Sequence, residues 1–239
     1  MLDFTKKSNP AWRDEKWTAA AVEILKDHKP NLLLFHLLDL DSVHHQHGPG
    51  STASFAAIAY ADRCVQQILD AIDQAGLKDR ATVIVVSDHG FKKVEHVIQL
   101  PHFDGTIIPE GGTAMVYGGK RGALKILQKV KGIDRIIEPS GYATLGLPTP
   151  AENPQAPDLL LVAKDGYAFS KSPTSGQHGY LASDPDMDAI FIAWGRGIRS
   201  GARAERIRNV DVAPTIAELL GVQLTGIDGH ALTEFLAPK

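Results

Sequence analysis

Three short stretches hold the residues able to do chemistry. In Ser87-Asp88-His89-Gly90 a carboxylate and an imidazole stand side by side, straight after the β-branched run Val83-Ile84-Val85-Val86. Asp41-Ser42-Val43-His44-His45-Gln46-His47-Gly48-Pro49 sets an acid four residues before a histidine. Ser175-Gly176-Gln177-His178-Gly179-Tyr180 carries one histidine among glycines. Carboxylate oxygens and neutral imidazole nitrogens are ordinary zinc ligands.

Each stretch has two readings. One turn of helix, or a tight bend, puts Asp41 and His45 on one side. The other reading is a polar loop that is merely rich in histidine. His44 and His47 stay ambiguous; if Asp41 and His45 point inward, His44 points elsewhere. Consecutive residues leaving a strand face opposite ways. Asp88 and His89 therefore share a site only if the chain turns at once, which Gly90 permits. Otherwise Asp88 caps a following helix and His89 is buried behind it, although Phe91-Lys92-Lys93 does not open a helix. A lone His178 in a loop is more often not a ligand, but its glycines allow close backbone approach. Together the candidates are Asp41, His45, Asp88, His89 and His178. That set exceeds the closed four-ligand shell of a structural zinc. It matches part of a two-metal site, in which ions ~3.5–4 Å apart clamp the attacking and leaving oxygens of a phosphoryl displacement.

The elements that must carry these residues follow from periodicity. Residues 1–16 read as an irregular lead-in and 17–26 as an amphipathic helix. Residues 31–38, Asn-Leu-Leu-Leu-Phe-His-Leu-Leu, read as a buried strand after Pro30. Residues 52–75 are the clearest helix, with Ile58, Ala61, Val65, Ile68, Leu69 and Ile72 as its stripe and Gly76 as its C-cap. Residues 82–86 are the next strand. Strand, helix, strand is a βαβ unit, which predicts a parallel pair with Asp41 and Asp88 on one sheet edge, where open α/β sheets bind ligands. A long connection over 91–112 has the length of a lid or binding loop. Further strands are predicted at 113–117, 133–138, 158–163 and 189–194, helices at 122–131 and 211–220, and a polar loop at 166–186. Asp211 is placed to cap the last helix, Pro214 suits its first turn and Gly221 closes it.

Composition narrows the function class. The chain has 239 residues, 44% hydrophobic and 22% charged, enough for one large α/β domain or two small ones. A net charge of −3 gives no basic patch for nucleic acid. The single cysteine, Cys64, excludes an internal disulfide framework and falls in a helical apolar pattern. No stretch is long and apolar enough to span a bilayer. Met1–Lys7 is polar and lacks the apolar run of a signal peptide, so localisation stays open.

Taken together, the motifs resemble the alkaline phosphatase superfamily, and within it the type I phosphodiesterase / nucleotide pyrophosphatase branch. Asp41 to Pro49 is similar to that branch's Asp-x-x-Gly-His-x-x-Gly-Pro, with His44 where the family has Gly. Ser87-Asp88-His89-Gly90-Phe91 is similar to its Ser-Asp-His-Gly-Met, and Gly176 to Tyr180 to its late His-Gly segment. Asn209 to Gly221, with Asp228-Gly229, resembles the superfamily's usual ending. The resemblance implies an alkaline-phosphatase-like α/β fold, a mostly parallel sheet with helices on both faces, and residues 1–239 as a single partial domain. It implies two zinc ions, one held by Asp41, His45 and His178. Asp88 and His89 would bind the other, with an aspartate from the fold's first strand and a nucleophilic Thr or Ser. In the family that hydroxyl attacks phosphorus and metal-activated water later releases the product.

Nothing before Asp41 reads as that first strand. Asp3-Phe4-Thr5 is too close to Met1 to follow one, and Thr18 lies in a helical pattern without a glycine- or proline-rich turn. We therefore expect the C-terminal portion of the domain, carrying most metal ligands but lacking the N-terminal strand and nucleophile segment. The expected activity is a metal-dependent phosphohydrolase taking a small-molecule phosphate ester or nucleotide. The alternative is a non-catalytic metal-binding or interaction protein derived from the fold by truncation. A sulfatase would need a modified Cys or Ser early in the chain, and Cys64 is mid-helix; a phosphomutase would prefer manganese. His102 and Asp104 are read as surface or pocket lining, and Tyr167, Phe169 and Tyr180 as core or a stacking platform.

Overall fold

In the computed structural model of the protein, residues 10–118 and 120–238 are described. The helices are α1 (Pro10–His28), α2 (Asp39–His47), α3 (Thr52–Gln74), α4 (Lys120–Leu127) and α5 (Val212–Leu220). The strands are β1 (Thr82–Val86), β2 (Lys92–Lys93), β3 (His96–Val97), β4 (Thr106–Glu110), β5 (Thr113–Tyr117), β6 (Ile133–Ile137), β7 (Leu159–Ala163), β8 (Tyr167–Ala168), β9 (Gly176–Gln177) and β10 (Phe191–Gly195). The chain divides into two compact units. The first is Met1–Asp39, Ile58–Asp88 and Ala189–Lys239; the second is Leu40–Ala57 and His89–Asp188. The polar start Met1–Lys7, including Asp3-Phe4-Thr5, lies outside the described residues.

In the first unit, α1 begins at Pro10 rather than at Trp17. Proline's fixed φ and missing N–H suit a first helical turn, which the expected irregular lead-in did not allow for. Thr18 does fall inside α1, fully buried, its hydroxyl donating to the Asp14 carbonyl at 2.7 Å. The Asp14 carboxylate accepts the N–H groups of Leu38 (2.9 Å) and Asp39 (3.0 Å). The Asp39 carboxylate in turn accepts from Asp14 N–H (3.3 Å) and from Arg13 Nη2 (3.0 Å). Burial, then the nearby Asp14 charge, push the Asp39 carboxyl above its ordinary range, against the pull of these donors. This reciprocal pair anchors the end of the 31–38 segment to α1. The segment itself is not the buried strand its sequence suggests: it is in no strand, and Leu34 is 79% exposed. An apolar run makes a strand only where a ladder partner takes its backbone groups.

The β1 strand forms where expected, but its partner β10 runs antiparallel, with Thr82 opposite Gly195 and Val86 opposite Phe191. Among the described pairings only β3 with β8 is parallel. The mostly parallel sheet expected from the sequence is therefore corrected to a mixed α/β fold with largely antiparallel strands. α3 ends at Gln74, and Gly76 (φ +67°) follows it, with Leu77 N–H returning to the Ile72 carbonyl at 2.9 Å. Cys64 is buried, as a small core residue. Asp211 does not cap α5 with its side chain. Its carboxylate accepts from Arg208 Nη2 (3.0 Å) and from His230 N–H (3.0 Å) instead.

The second unit is built on the antiparallel sheet β4-β5-β7-β6. Its core joins Val116, Leu159, Leu161 and Phe169 with Leu127 from α4 and Ile98. The β4–β5 hairpin turns through Gly111-Gly112, with Glu110 opposite Thr113, and such two-residue Gly-rich turns enforce antiparallel pairing. The 91–112 connection thus contains β2, β3 and β4, and the 166–186 loop contains β8 and β9. Among the described residues, no helix is long and apolar enough to cross a membrane.

The Arg208 guanidinium first, and the His230 N–H second, hold the Asp211 carboxyl down at about 2. A depressed folded-state pKa contributes stability above the unfolded-state value, lost as pH falls through the folded value. Asp211→Asn is expected to melt at a lower temperature than wild type at pH 7, the gap closing between about pH 4 and pH 2. Thermal scans across that range check this; a gap unchanged down to pH 2 would assign the loss to shape rather than charge.

Candidate metal centre

The centre lies within the second unit and is assembled from three pieces of main chain. α2 supplies Asp41 and His45 one turn apart, so their side chains share a face. His45 Nε2 stands 3.5 Å from Asp41 Oδ1. Just past α2, Gly48 turns with φ +78° and returns its N–H to the His44 carbonyl at 2.9 Å. The neighbouring His45 carbonyl accepts from Ser175 N–H (2.9 Å) and from the Thr174 hydroxyl (2.9 Å), docking the second piece onto the helix end. That piece continues as β9, which pairs with β2. His178 follows β9, while His89 and Phe91 precede β2.

Two glycines permit further close approaches of main chain beside the cluster. A Cβ on Gly90 would lie 2.1 Å from the Asp186 carbonyl oxygen. A Cβ on Gly179, which also has φ +73°, would lie 2.0 Å from the Glu110 carbonyl oxygen. No side chain fits at either place.

His178 Nε2 lies 3.8 Å from the same Asp41 Oδ1. The His89 and His178 rings stack, with centroids 3.8 Å apart and planes at 17°. Asp41, His89 and His178 each offer a ligand atom, all within 4.8 Å of one another. Nδ1 of His45 faces the Gly176 carbonyl at 3.1 Å, and Nδ1 of His89 faces the Gly90 carbonyl at 2.9 Å. A carbonyl only accepts, so these contacts put a proton on Nδ1, and in the neutral ring the lone pair that can ligate a metal is then on Nε2. A tetrahedral zinc with bonds of ~2.0–2.2 Å spaces its donors roughly 3.3–3.6 Å apart. The 3.5 and 3.8 Å separations at Asp41 are near that spacing. Side-chain exposures of 32%, 31% and 32% for His45, Asp41 and His178 leave the cluster open to solvent ions.

The structure thus brings together four of the sequence-predicted residues, Asp41, His45, His89 and His178. The mutually close group includes His89, crossing the division between two ions that the family resemblance implies. Asp88 ends the first unit, where Asn209 Nδ2 donates to its main-chain carbonyl at 2.9 Å. His44 packs its ring on Phe91, and burial lowers its pKa, with Asp41 opposing and His45 assisting. His47, His102 and Asp104 are exposed. Phe169 is core, and the Tyr180 hydroxyl, donating to the Tyr167 carbonyl at 2.7 Å, is pushed up to about 12 by burial. Phe169 and Tyr180 are thus packing residues, and Tyr167 is half-buried with its ring 4.8 Å from that of His96.

Two residues escaped the sequence reading. Phe91 sits among the imidazoles, and its signal was an aromatic residue directly after His89-Gly90. Lys92 reaches Asp184 (2.7 Å), Asp165 (2.9 Å) and Asp186 (3.5 Å). Burial alone would lower its pKa, but the hydrogen bonds it donates to Asp184 and Asp165 outweigh that and hold it above the ordinary lysine value. Its signal was a surplus of acids across 165–186 facing an inward lysine.

Comparison with known proteins shows the family. The type I phosphodiesterase / nucleotide pyrophosphatase family model matches residues 2–181, well over half of the chain. The chain belongs to that family, a branch of the alkaline phosphatase superfamily. It is similar to rat ectonucleotide pyrophosphatase/phosphodiesterase family member 7, at 26% identity over 91% of this chain and 54% of the relative. It is similar also to the bovine bis(5'-adenosyl)-triphosphatase ENPP4, at 24% identity over 77% of this chain and 43% of that protein. The chain spans about half the length of the curated relatives it matches. Among solved structures, human ectonucleotide pyrophosphatase / phosphodiesterase 5 superposes with TM-score 0.84 at 20% identity, covering 99% of this chain and 66% of its own. Its murine counterpart, an inactive variant in complex with AMP, superposes with TM-score 0.83 at 20% identity over the same shares. These likenesses establish the alkaline-phosphatase-like fold.

Gly179→Ala combines a left-handed φ with a backbone overlap at Glu110. It is expected to cost about 1–3 kcal/mol of stability. Chemical denaturation measures this, and a midpoint equal to wild type would show that the main-chain approach at Glu110 is not a constraint.

Proposed function

We propose that this chain carries the metal-binding part of a phosphodiesterase-type phosphohydrolase acting on nucleotides or other small phosphate esters. The observation that carries the reading is the convergence of Asp41, His89 and His178, with His45 on the same Asp41 oxygen. Oxygen and imidazole donors at this spacing fit zinc. Asp41, His45 and His178 would hold one ion, and Asp88 with His89 would serve a second. When bound, such ions supply Lewis-acid stabilisation of the phosphoryl oxygens. The carbonyls of Gly176 and Gly90 hold the rings of His45 and His89 with Nε2 facing away from the main chain.

In this reading neither Thr18 nor Thr174 is the attacking hydroxyl. Thr18 is buried in α1, and Thr174 is engaged with the His45 carbonyl at 2.9 Å and the Gly176 carbonyl at 2.7 Å. Residues 1–239 alone are then a metal-binding protein without turnover. The names of the relatives, a bis(5'-adenosyl)-triphosphatase among them, and the AMP complex of a structural neighbour support nucleotides as the substrate class.

Elemental analysis after dialysis tests the metal part. Wild type is expected to retain zinc, and Asp41→Ala and His178→Ala to lose most of it; full retention in both would overturn the assignment. A nitrophenyl phosphodiester tests the rest. Metal-dependent hydrolysis by residues 1–239, abolished in His178→Ala, would place the nucleophile inside this chain and contradict the proposed division.

A further inference from the structure

Phe91 is the residue on which the imidazoles converge. β2 and β9 pair antiparallel, Lys93 with Gly176 and Lys92 with Gln177, so the next step of the ladder sets Phe91 opposite His178. The Phe91 and His178 ring centroids are 5.3 Å apart at 73°. α2 brings two more rings to the same phenyl: His44 at 4.9 Å and 61°, and His45 at 4.8 Å and 76°. His89, two residues before Phe91, completes the set at 5.7 Å and 56°. All four separations lie in the ~4.5–7 Å range of favourable aromatic pairs, most of them edge-to-face.

One phenyl therefore limits the tilt of every imidazole in the cluster. The Nδ1 contacts of His45 and His89 fix which nitrogen faces outward, but one hydrogen bond leaves a ring free to swing about its Cβ–Cγ axis. A rigid aromatic surface in contact with the ring removes that freedom. It also excludes water from the side of the rings that faces it. Neighbours of this kind set ligand orientation and tune metal affinity in other sites.

We propose that Phe91 is a positioning residue for the metal ligands, holding His45, His89 and His178 in a common binding geometry before an ion arrives. The inference rests on the metal-binding reading above and adds to it a residue that is not a ligand. The alternative role is a plain hydrophobic plug, and the two differ in what a truncation changes.

The test uses the whole chain. Zinc affinity is read by competition with a chromophoric chelator, ligand geometry by the visible absorption of added cobalt(II), and metal-free stability by thermal unfolding. Phe91→Ala is expected to weaken zinc binding by about 10–100-fold and to alter the cobalt spectrum. Phe91→Tyr, which keeps the flat ring, is expected to hold affinity within a few-fold of wild type. Ile98→Ala, in the core of the same unit, is the control: a lower melting temperature with unchanged zinc affinity. If Phe91→Ala behaves like the control, Phe91 is only a plug and the proposal falls. Should Phe91→Ala not fold, Phe91→Leu carries the same comparison, since it keeps bulk but loses the flat ring. Wild type that takes up neither zinc nor cobalt refutes the metal reading itself, a result distinct from unaltered binding in the variants.

Discussion

The second unit depends on main chain meeting main chain with no side chain between. Ser175 N–H reaches the His45 carbonyl at 2.9 Å, Gly112 N–H reaches the His178 carbonyl at 2.8 Å, and β2 lies directly on β9. Each such bond is worth only about 0.5–1.5 kcal/mol net. Their value here is positional, because they link the end of α2, the β4–β5 hairpin and the His178 segment. Glycine at 176, against the His44 carbonyl, and at 179, against the Glu110 carbonyl, is the condition for that closeness. Ring positions then follow from backbone positions. Two histidines are further held through Nδ1 by main-chain carbonyls, which in the neutral ring puts the lone pair on Nε2.

Charge is managed separately from the centre. Lys92, one residue beyond Phe91, gathers Asp165, Asp184 and Asp186 about its ammonium group. That neutralises acids on both sides of His178 and ties their segments to β2. In the first unit, Asp14 and Asp39 do an analogous job with backbone N–H groups, and Asp211 does so with Arg208 and His230. The buried acids of this chain are spent on joining segments. The carboxylate of the ligand cluster, Asp41, is about one-third exposed.

Much of this was legible in the sequence where a residue's role is local. The helix expected at 52–75 is α3, the strand at 82–86 is β1, and 158–163 contains the fully buried β7. The i, i+4 spacing of Asp41 and His45 needed only a helical turn, and α2 provides it. Strand direction was less legible, because it depends on partners distant in sequence. Residues 31–38 have the composition of a strand yet find no described ladder, and β1 pairs with a strand more than a hundred residues later. The two-residue strands β2, β3, β8 and β9 carry no periodic signal at all. They exist because tertiary contacts align them. Phe91 left only a weak signal for the same reason: an aromatic residue after a glycine acquires a role only once β9 and α2 bring rings to it.

The account claims that imidazole and carboxylate groups of the second unit bind a zinc ion. X-ray absorption at the zinc edge of the zinc-loaded chain tests that most directly. The account predicts a shell of nitrogen and oxygen near ~2.0–2.1 Å, with the outer scattering of at least two imidazoles and loss of that signal in His178→Ala. A shell of oxygens alone, or one containing sulfur at ~2.3 Å from Cys64, would contradict it.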